Sequence, residues 1–407
     1  MTTSIEVNPF DPRVKANPYP AYATLRKDAP VYRLNNPAGP SMWVVTRYED
    51  VLSVFKDSRF IKDVTKLYTP EQLAQRPLGR PEYVHLEKLM TQHMLSMDPP
   101  DHTRLRSLVS KAFTPRRVEQ LRPRIQEIAY ELLDVMEGSS TVDLIDSYAF
   151  PLPIQVITEM LGVPSEDRDN FRLWSNTIIS GGDHMNTGQD LIEAAQGFYD
   201  YLVKLLAERQ SNPTGDMLSD LLAVEEQGQH LSQDELISMV WLLILAGHET
   251  TVNLIGNGVL ALLQNPEQMT KLKQDPSLIT QAVEEFLRYE GPVETSTSRF
   301  ASEDIELGGQ LIAKGEMVLL FINSADHDPD QFAEPDKLDI TRTNSKHVAF
   351  GYGIHFCLGA PLARLEGQIA INALLERKPN IHLATDASNL IWRAGIVRGV
   401  QKLPVAF

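Results

Sequence analysis

The stretch Phe350-Gly-Tyr-Gly-Ile-His-Phe-Cys-Leu-Gly359 decides how the rest of the chain is read. Three glycines in ten residues let the backbone turn tightly and let something large and flat approach it closely. Cys357 stands just before an expected helix, where unpaired N–H groups stabilise a thiolate. Arg364 and Glu366 follow on that helix. Cys357 is the single cysteine of the chain, so no internal disulfide can form. A lone cysteine is either inert core filler or a working thiolate, and a working one could be a nucleophile, a redox thiol or a metal ligand. Zinc is disfavoured, because neither a CxxC partner nor an HExxH pattern occurs. Haem iron needs only one thiolate.

A second stretch, Trp241-Leu-Leu-Ile-Leu-Ala-Gly-His-Glu-Thr-Thr-Val-Asn-Leu254, places a carboxylate and two hydroxyls inside an apolar segment. Such groups are costly to bury unless something uses them. Ser232 and Glu235 have the spacing of a capping box, and apolar periodicity then runs to about Leu263, before Asn265-Pro266. That predicts a helix of roughly 30 residues, about 45 Å long. Apolar on nearly all sides, it crosses either a bilayer or the middle of a large protein. His248, Glu249, Asn253 and Asn257 at its centre, with no second span, favour the buried core helix.

The 407 residues carry a formal net charge of 38 − 54 = −16. That argues against a nucleic-acid surface and for a soluble cytoplasmic protein. No signal peptide or membrane anchor is read at the amino terminus. Without repeats, low-complexity tracts or long linkers, residues 1–407 are expected to form one continuous domain. A short helix is expected at Ala21–Lys27, then strands at Val31–Leu34 and Ser41–Tyr48 around a Pro/Gly turn. Residues 101–290 read as mainly helical, punctuated by prolines. Ile305–Ile312 reads as a hairpin turning at Gly308-Gly309, Met317–Ile322 as a strand and the tail as short strands. The class is mainly α with a smaller β portion.

Taken together, these motifs resemble the cytochrome P-450 superfamily. The cysteine loop matches every fixed position of that family's haem-binding signature, F-G-x-G-x-H-x-C-x-G. Glu285-Phe-Leu-Arg288 fits its E-x-x-R, and Ala246-Gly-His-Glu-Thr-Thr251 fits its central-helix motif, in the same order and spacing. Ser96-Met-Asp-Pro-Pro-Asp-His102-Thr-Arg-Leu-Arg106 is similar to a stretch of the soluble bacterial class. The cysteine loop is a strong signal, E-x-x-R alone a very weak one.

The resemblance implies a haem b (iron protoporphyrin IX) between the long helix and the cysteine loop, with Cys357 as proximal iron ligand. Thiolate donation favours heterolytic O–O cleavage of reduced dioxygen, which needs protons. By motif position Glu249 and Thr250 would supply them, with Gly247 letting the helix open locally. Thr251 and Asn253 would be supporting groups and His248 a bystander facing away. His102, Arg106, Arg299 and His355 would bind the propionates, while Ala246, Phe350, Gly351 and Gly359 would contact the haem. Glu285, Arg288 and Arg342 would be structural, holding the underside of the loop. The leading function is a monooxygenase inserting one oxygen atom of O2 into a macrolide- or polyketide-like substrate. Alternatives are a steroid or fatty-acid hydroxylase and a peroxide-driven oxidase, though the acid–alcohol pair argues against the last. Met94, Leu95, Leu243, Ala246 and Val293 are candidate pocket residues, with the segments around 68–95 and 178–190 expected to line the site. Electrons would come from an external ferredoxin or flavodoxin with its reductase. That partner would dock near Arg104, Lys111, Arg116, Arg117, Lys346 and Arg364 on a monomer. Two rivals stand beside this: a cysteine hydrolase or redox enzyme with His355 as base, and a haem-thiolate sensor without turnover.

Overall fold

In the computed structural model the described residues are all except 1–9, 36–40, 75–82, 168–169, 172, 175–176, 178–187, 227 and 394. The extreme amino terminus, the Pro/Gly turn expected near residue 38, residues 75–82 of one expected pocket-lining stretch and most of the other, 178–190, lie outside the described residues. The chain divides into two compact units, each assembled from separate segments: Met1–Ile61, Arg122–Leu152 and Thr250–Phe407 in the first, Lys62–Leu121 and Pro153–Glu249 in the second.

The first unit holds the β structure. Strands β1 (Val31–Leu34), β2 (Met42–Val45), β3 (Phe60–Ile61), β5 (Arg299–Ala301) and β8 (Met317–Leu320) form one sheet in the order β1-β2-β8-β5-β3. Only the β2–β8 pairing is parallel. Because side chains alternate across a sheet, each strand feeds two cores. Trp43, Val45, Val318 and Leu320 pack into one. Met42, Val44 and Leu319 pack with Tyr22 and Phe321 into the other. All four residues of β2 are buried, as expected of a strand covered on both faces. A second sheet joins β4 (Thr141–Asp143), β10 (Pro404–Ala406) and β9 (His382–Leu383). The expected hairpin is β6 (Ile305–Leu307) with β7 (Gln310–Ile312). Its turn residues Gly308 and Gly309 both have positive φ, +55° and +75°, the combination a two-residue hairpin turn requires.

The long helix spans Gln233–Gln264. Its capping box forms reciprocally: Glu235 N–H donates to Ser232 Oγ and Ser232 N–H to the Glu235 carboxylate. It is the one helix among the described residues long and apolar enough to cross a membrane by composition, yet most of its apolar window is buried inside the protein. Close packing favours glycine in its second half: a Cβ on Gly256 would stand 2.7 Å from Ile145 Cδ1, and one on Gly258 3.0 Å from the Phe286 ring. In the second unit, Ser238 of the same helix donates to the Leu89 carbonyl (3.0 Å), and Trp241 packs edge-on against Phe198.

Candidate active site

The cysteine loop takes its shape from glycine. Gly351 and Gly353 have φ of +70° and +73°, a region that residues with a Cβ avoid. A Cβ on Gly353 would also stand 3.0 Å from the Phe55 carbonyl oxygen. Inside the loop, Cys357 N–H donates to the Phe350 carbonyl (2.9 Å) and Phe356 N–H to that of Gly353 (3.0 Å). The chain then enters the Ala360–Arg377 helix with Gly359 as its N-cap, which sets Cys357 at the positive end of the helix dipole. Cys357 is exposed, and so are Tyr352 (45%), Ile354 (50%) and Phe356 (40%). An exposed cysteine in a loop that also exposes large apolar side chains suits a flat apolar group carrying a thiophilic metal. Among the described residues no group of three or more His, Cys, Asp or Glu could hold a metal ion, and haem iron asks the protein for only one thiolate.

The same unit holds a buried ion cluster. Glu285 and Arg288 have no exposed surface and form a bidentate pair, Nε to Oε2 and Nη2 to Oε1, both 2.8 Å. Arg342 Nε adds bonds of 3.0 and 3.2 Å to the same carboxylate. Arg288 Nη1 also donates to the carbonyls of Asp326 and Pro335. The Asp326 carboxylate in turn accepts from Val348 N–H (2.8 Å), just ahead of the cysteine loop. Glu285, Arg288 and Arg342 thus have opposite charges or carbonyls as partners, as buried charges require, whereas one Asp326 oxygen has no hydrogen-bond partner among the described residues. Burial raises the Asp326 carboxyl to about 7. Beside this cluster Arg364 binds Glu284 (2.6 and 2.8 Å) and stacks over Phe350, 4.5 Å from the ring centre. Burial alone would raise the Glu284 carboxyl, but hydrogen bonds from His347 and Arg364 override it and hold it at about 2. Asp326 and Glu284 were not singled out from the sequence; the nearest signals were the run Asp326-His-Asp-Pro and the position beside the E-x-x-R motif.

On the long helix, burial follows an angular pattern. Residues 251–262 are all buried, as are Trp241, Leu242 and Ile244. Leu245 apart, the residues left less covered are Leu243, Ala246, Gly247 and Thr250, and Ala246 is exposed. Their spacing of three, one and three residues puts them on one helical face. Glu249 is 8% exposed. His248 is wholly buried and bonds the Ile244 carbonyl of its own helix (2.7 Å). The helix is unbroken through Gly247, so the local opening expected there is not seen. A Cβ on Gly247 would meet Ile157 at 3.4 Å, an ordinary contact that does not itself demand glycine.

The expected propionate partners fall on three elements. His102, 2% exposed, and Arg106 lie one turn apart on the Asp101–Ala112 helix. Asp98 just before it accepts N–H bonds from Lys62 and Asp63. Arg299, on β5, is 4% exposed, with its guanidinium 5.2 Å from the Phe55 ring centre. His355 sits in the short helical turn ahead of Cys357.

A cleft of about 500 Å³ opens in the first unit, lined by Phe10, Met42, Met317 and Ile396 together with Ser296, Thr297 and Ser298. None of the five pocket residues expected from the sequence lines it. Met94 is buried, Leu95 and Leu243 are half-buried, Ala246 is on the open helical face, and Val293 packs against the sheet core. The expected basic patch is largely neutralised: Arg104 pairs with Glu235, Lys111 with Glu226, Arg117 with Asp220 and Arg364 with Glu284. Arg116 and Lys346 remain exposed.

Comparison with known proteins gives a consistent result. The cytochrome P-450 family profile matches residues 167–377. The chain is 47% identical over 402 residues to cytochrome P-450 107B1 of Saccharopolyspora erythraea, covering 97% of this chain and 96% of that one. It is 48% identical to the vitamin D(3) 25-hydroxylase of Pseudonocardia autotrophica, covering 96% and 93%. The solved structure of PksS, the cytochrome P-450 of the bacillaene polyketide synthase of Bacillus subtilis 168, superposes with a TM-score of 0.90 at 42% identity, covering 98% of this chain and 99% of that one.

Proposed function

Because this chain belongs to the cytochrome P-450 family and is a haem-dependent monooxygenase, we propose that Cys357 ligates the iron of haem b and that Glu249 and Thr250 deliver protons to the distal side. The observation that carries this reading is the exposed Cys357, set at a helix start in a loop that glycines shape. When bound, the haem supplies dioxygen activation and transfer of one oxygen atom to the substrate.

The remaining roles belong to the chain. The helix start favours the thiolate form of Cys357. Ala246 and Gly247 present small surfaces on the open helical face, leaving room for a flat ring and small molecules beside it. The Thr250 hydroxyl on that face can accept and pass a proton, and the neighbouring Glu249 carboxyl, once it has taken a proton from solvent, can resupply it. His102, Arg106, Arg299 and His355 would bind two propionates, placing charged partners where carboxylates leave water. Phe350, Gly351 and Gly359 would contact the haem on the loop side, and Glu285, Arg288 and Arg342 would keep that loop in place.

The substrate we propose is a hydrophobic small molecule of macrolide or polyketide type, in line with the likeness to PksS. A steroid-like or fatty-acid substrate is the second reading, favoured by the likeness to the vitamin D(3) hydroxylase. Electrons would come from an external ferredoxin or flavodoxin with its reductase, docking on the cysteine side near Lys346. The protein would act as a single-domain cytoplasmic monomer.

Reduction under carbon monoxide tests the ligand assignment: the native protein should give the red-shifted Soret band of a thiolate-ligated haem, and Cys357→Ala should lose it. A native protein without that band would overturn the proposal. Thr250→Ala should keep the band while product formed per electron pair falls by about tenfold or more; unchanged coupling would remove Thr250 from the proton path.

A further inference from the structure

We propose that Lys15 is a specificity-determining positioning residue, holding three walls of the 500 Å³ cleft in register from a single buried ammonium. Lys15 closes the short Pro12–Lys15 helix and is 4% exposed. Its ammonium pairs with Glu294, which has no exposed surface, and donates to the Gly395 carbonyl (2.9 Å). It also lies 5.5 Å from the ring centre of Phe10.

Each of these contacts controls one wall. Glu294 is two residues ahead of the hydroxyl-bearing run Ser296, Thr297 and Ser298. Its backbone is tied on both sides, N–H to the Ile396 carbonyl (2.9 Å) and carbonyl to Ile322 N–H (2.9 Å). Gly395, at φ +104°, is followed by Ile396, an apolar residue 44% exposed that lines the cleft. Phe10 forms the third wall and packs edge-on against Phe321.

The rest of the network leaves the ammonium little freedom. Tyr22 OH donates to Glu294. Arg398 donates to the Lys15 carbonyl (2.7 Å) and to the Glu290 carboxylate, and Arg398 N–H bonds the Pro292 carbonyl (2.9 Å). Segments 290–294 and 395–398 are thus fastened to each other and to the first helix through buried charges. Removing Lys15 frees the Phe10 wall, the Ile396 wall and the hydroxyl run together. Misplacement on the ångström scale is enough to change how a ligand is held. The cleft joins an apolar side to three hydroxyls, which suits an elongated hydrophobic substrate bearing oxygen functions.

This inference rests on the reading of the chain as a haem monooxygenase of hydrophobic molecules, and the test separates the two. In the full-length holoenzyme, ligand binding is read from the haem spectrum, using saturated fatty acids of increasing length and a macrolactone as probes. Imidazole, which coordinates iron directly, serves as the control. Lys15→Met should weaken binding of the longest probes by about tenfold while imidazole binding changes less than about twofold. Lys15→Arg should restore part of the loss. If Lys15→Met folds poorly, Lys15→Met combined with Glu294→Gln leaves no unpaired buried charge; it should regain thermal stability but not probe affinity. Ile396→Trp, which narrows the cleft directly, should weaken the same probes. Unchanged probe affinity in the double variant, with Ile396→Trp impaired, overturns the role of Lys15 and leaves the cleft intact. Unchanged affinity in Ile396→Trp overturns the cleft as a substrate surface, and the role of Lys15 with it. Failure of imidazole to shift the native spectrum would instead sink the haem reading.

Discussion

Asp326 shows how much one buried carboxyl can govern. One oxygen accepts from Val348 N–H, and the other has no hydrogen-bond partner among the described residues. Burial raises its pKa from 3.8 to about 7. A raised carboxyl pKa means that the folded protein holds a proton which the unfolded chain has released. Its contribution to stability is therefore complete below about pH 4, declines as pH rises toward 7, and is gone above that. Asp326→Asn keeps the acceptor for Val348 and never ionises. Thermal melting from pH 4 to 8 should show a flatter profile for the variant, with a higher Tm than the native protein at pH 8. An identical decline in both proteins would mean that Asp326 does not titrate in this range. At the same scale, Thr250 and Glu249 stand out as candidates in the sequence because a hydroxyl and an acid inside an apolar run have few bland explanations. Asp326 does not, because burial of a loop carboxyl depends on residues distant in sequence.

At the scale of elements, helix limits were the most readable feature. The Ser232–Glu235 capping box and the Asn265-Pro266 stop bracket the observed Gln233–Gln264 helix, since both signals act within a few residues of the chain. Ser232→Ala should lower stability by about 1 kcal/mol, measurable by denaturant melting, because it removes one side of the box. The Gly308-Gly309 hairpin was equally local. The five-stranded sheet was not. β3 has only two residues and is recognisable as a strand only through its pairing with β5, and no local pattern names so distant a partner. The basic patch failed for the same reason. Arg104 and Lys111 look like solvated cations in sequence, but their carboxylates, Glu235 and Glu226, come more than a hundred residues later.

For the molecule as a whole, the Glu285–Arg288–Arg342 cluster joins the end of one helix to loops spanning residues 326–342. Arg288→Met would strand the Glu285 carboxylate in a dry interior with Arg342 as its remaining cationic partner. That should lower folding stability by about 3–5 kcal/mol, reducing recovery of haem-loaded protein before any rate is measured. If Arg288→Met instead folded normally and lost only turnover, the structural role given to this cluster would be wrong. The motif order told the family from the sequence, and the family carried the architecture with it. Composition alone gave only a helix-rich class.

The pairing of β10 with β4 sets a timetable for the chain's synthesis. Leu403 N–H reaches Asp143 Oδ1 across 260 residues, and β10 then lines up along β4 from Pro404 to Ala406. At about 5–20 residues per second, β4 waits roughly 13–50 s for its partner to be made. During that interval a strand edge of the first unit stays open, a known invitation to mispairing. A nascent chain stalled before residue 403 should therefore be far more sensitive to protease between residues 136 and 150 than one released at full length.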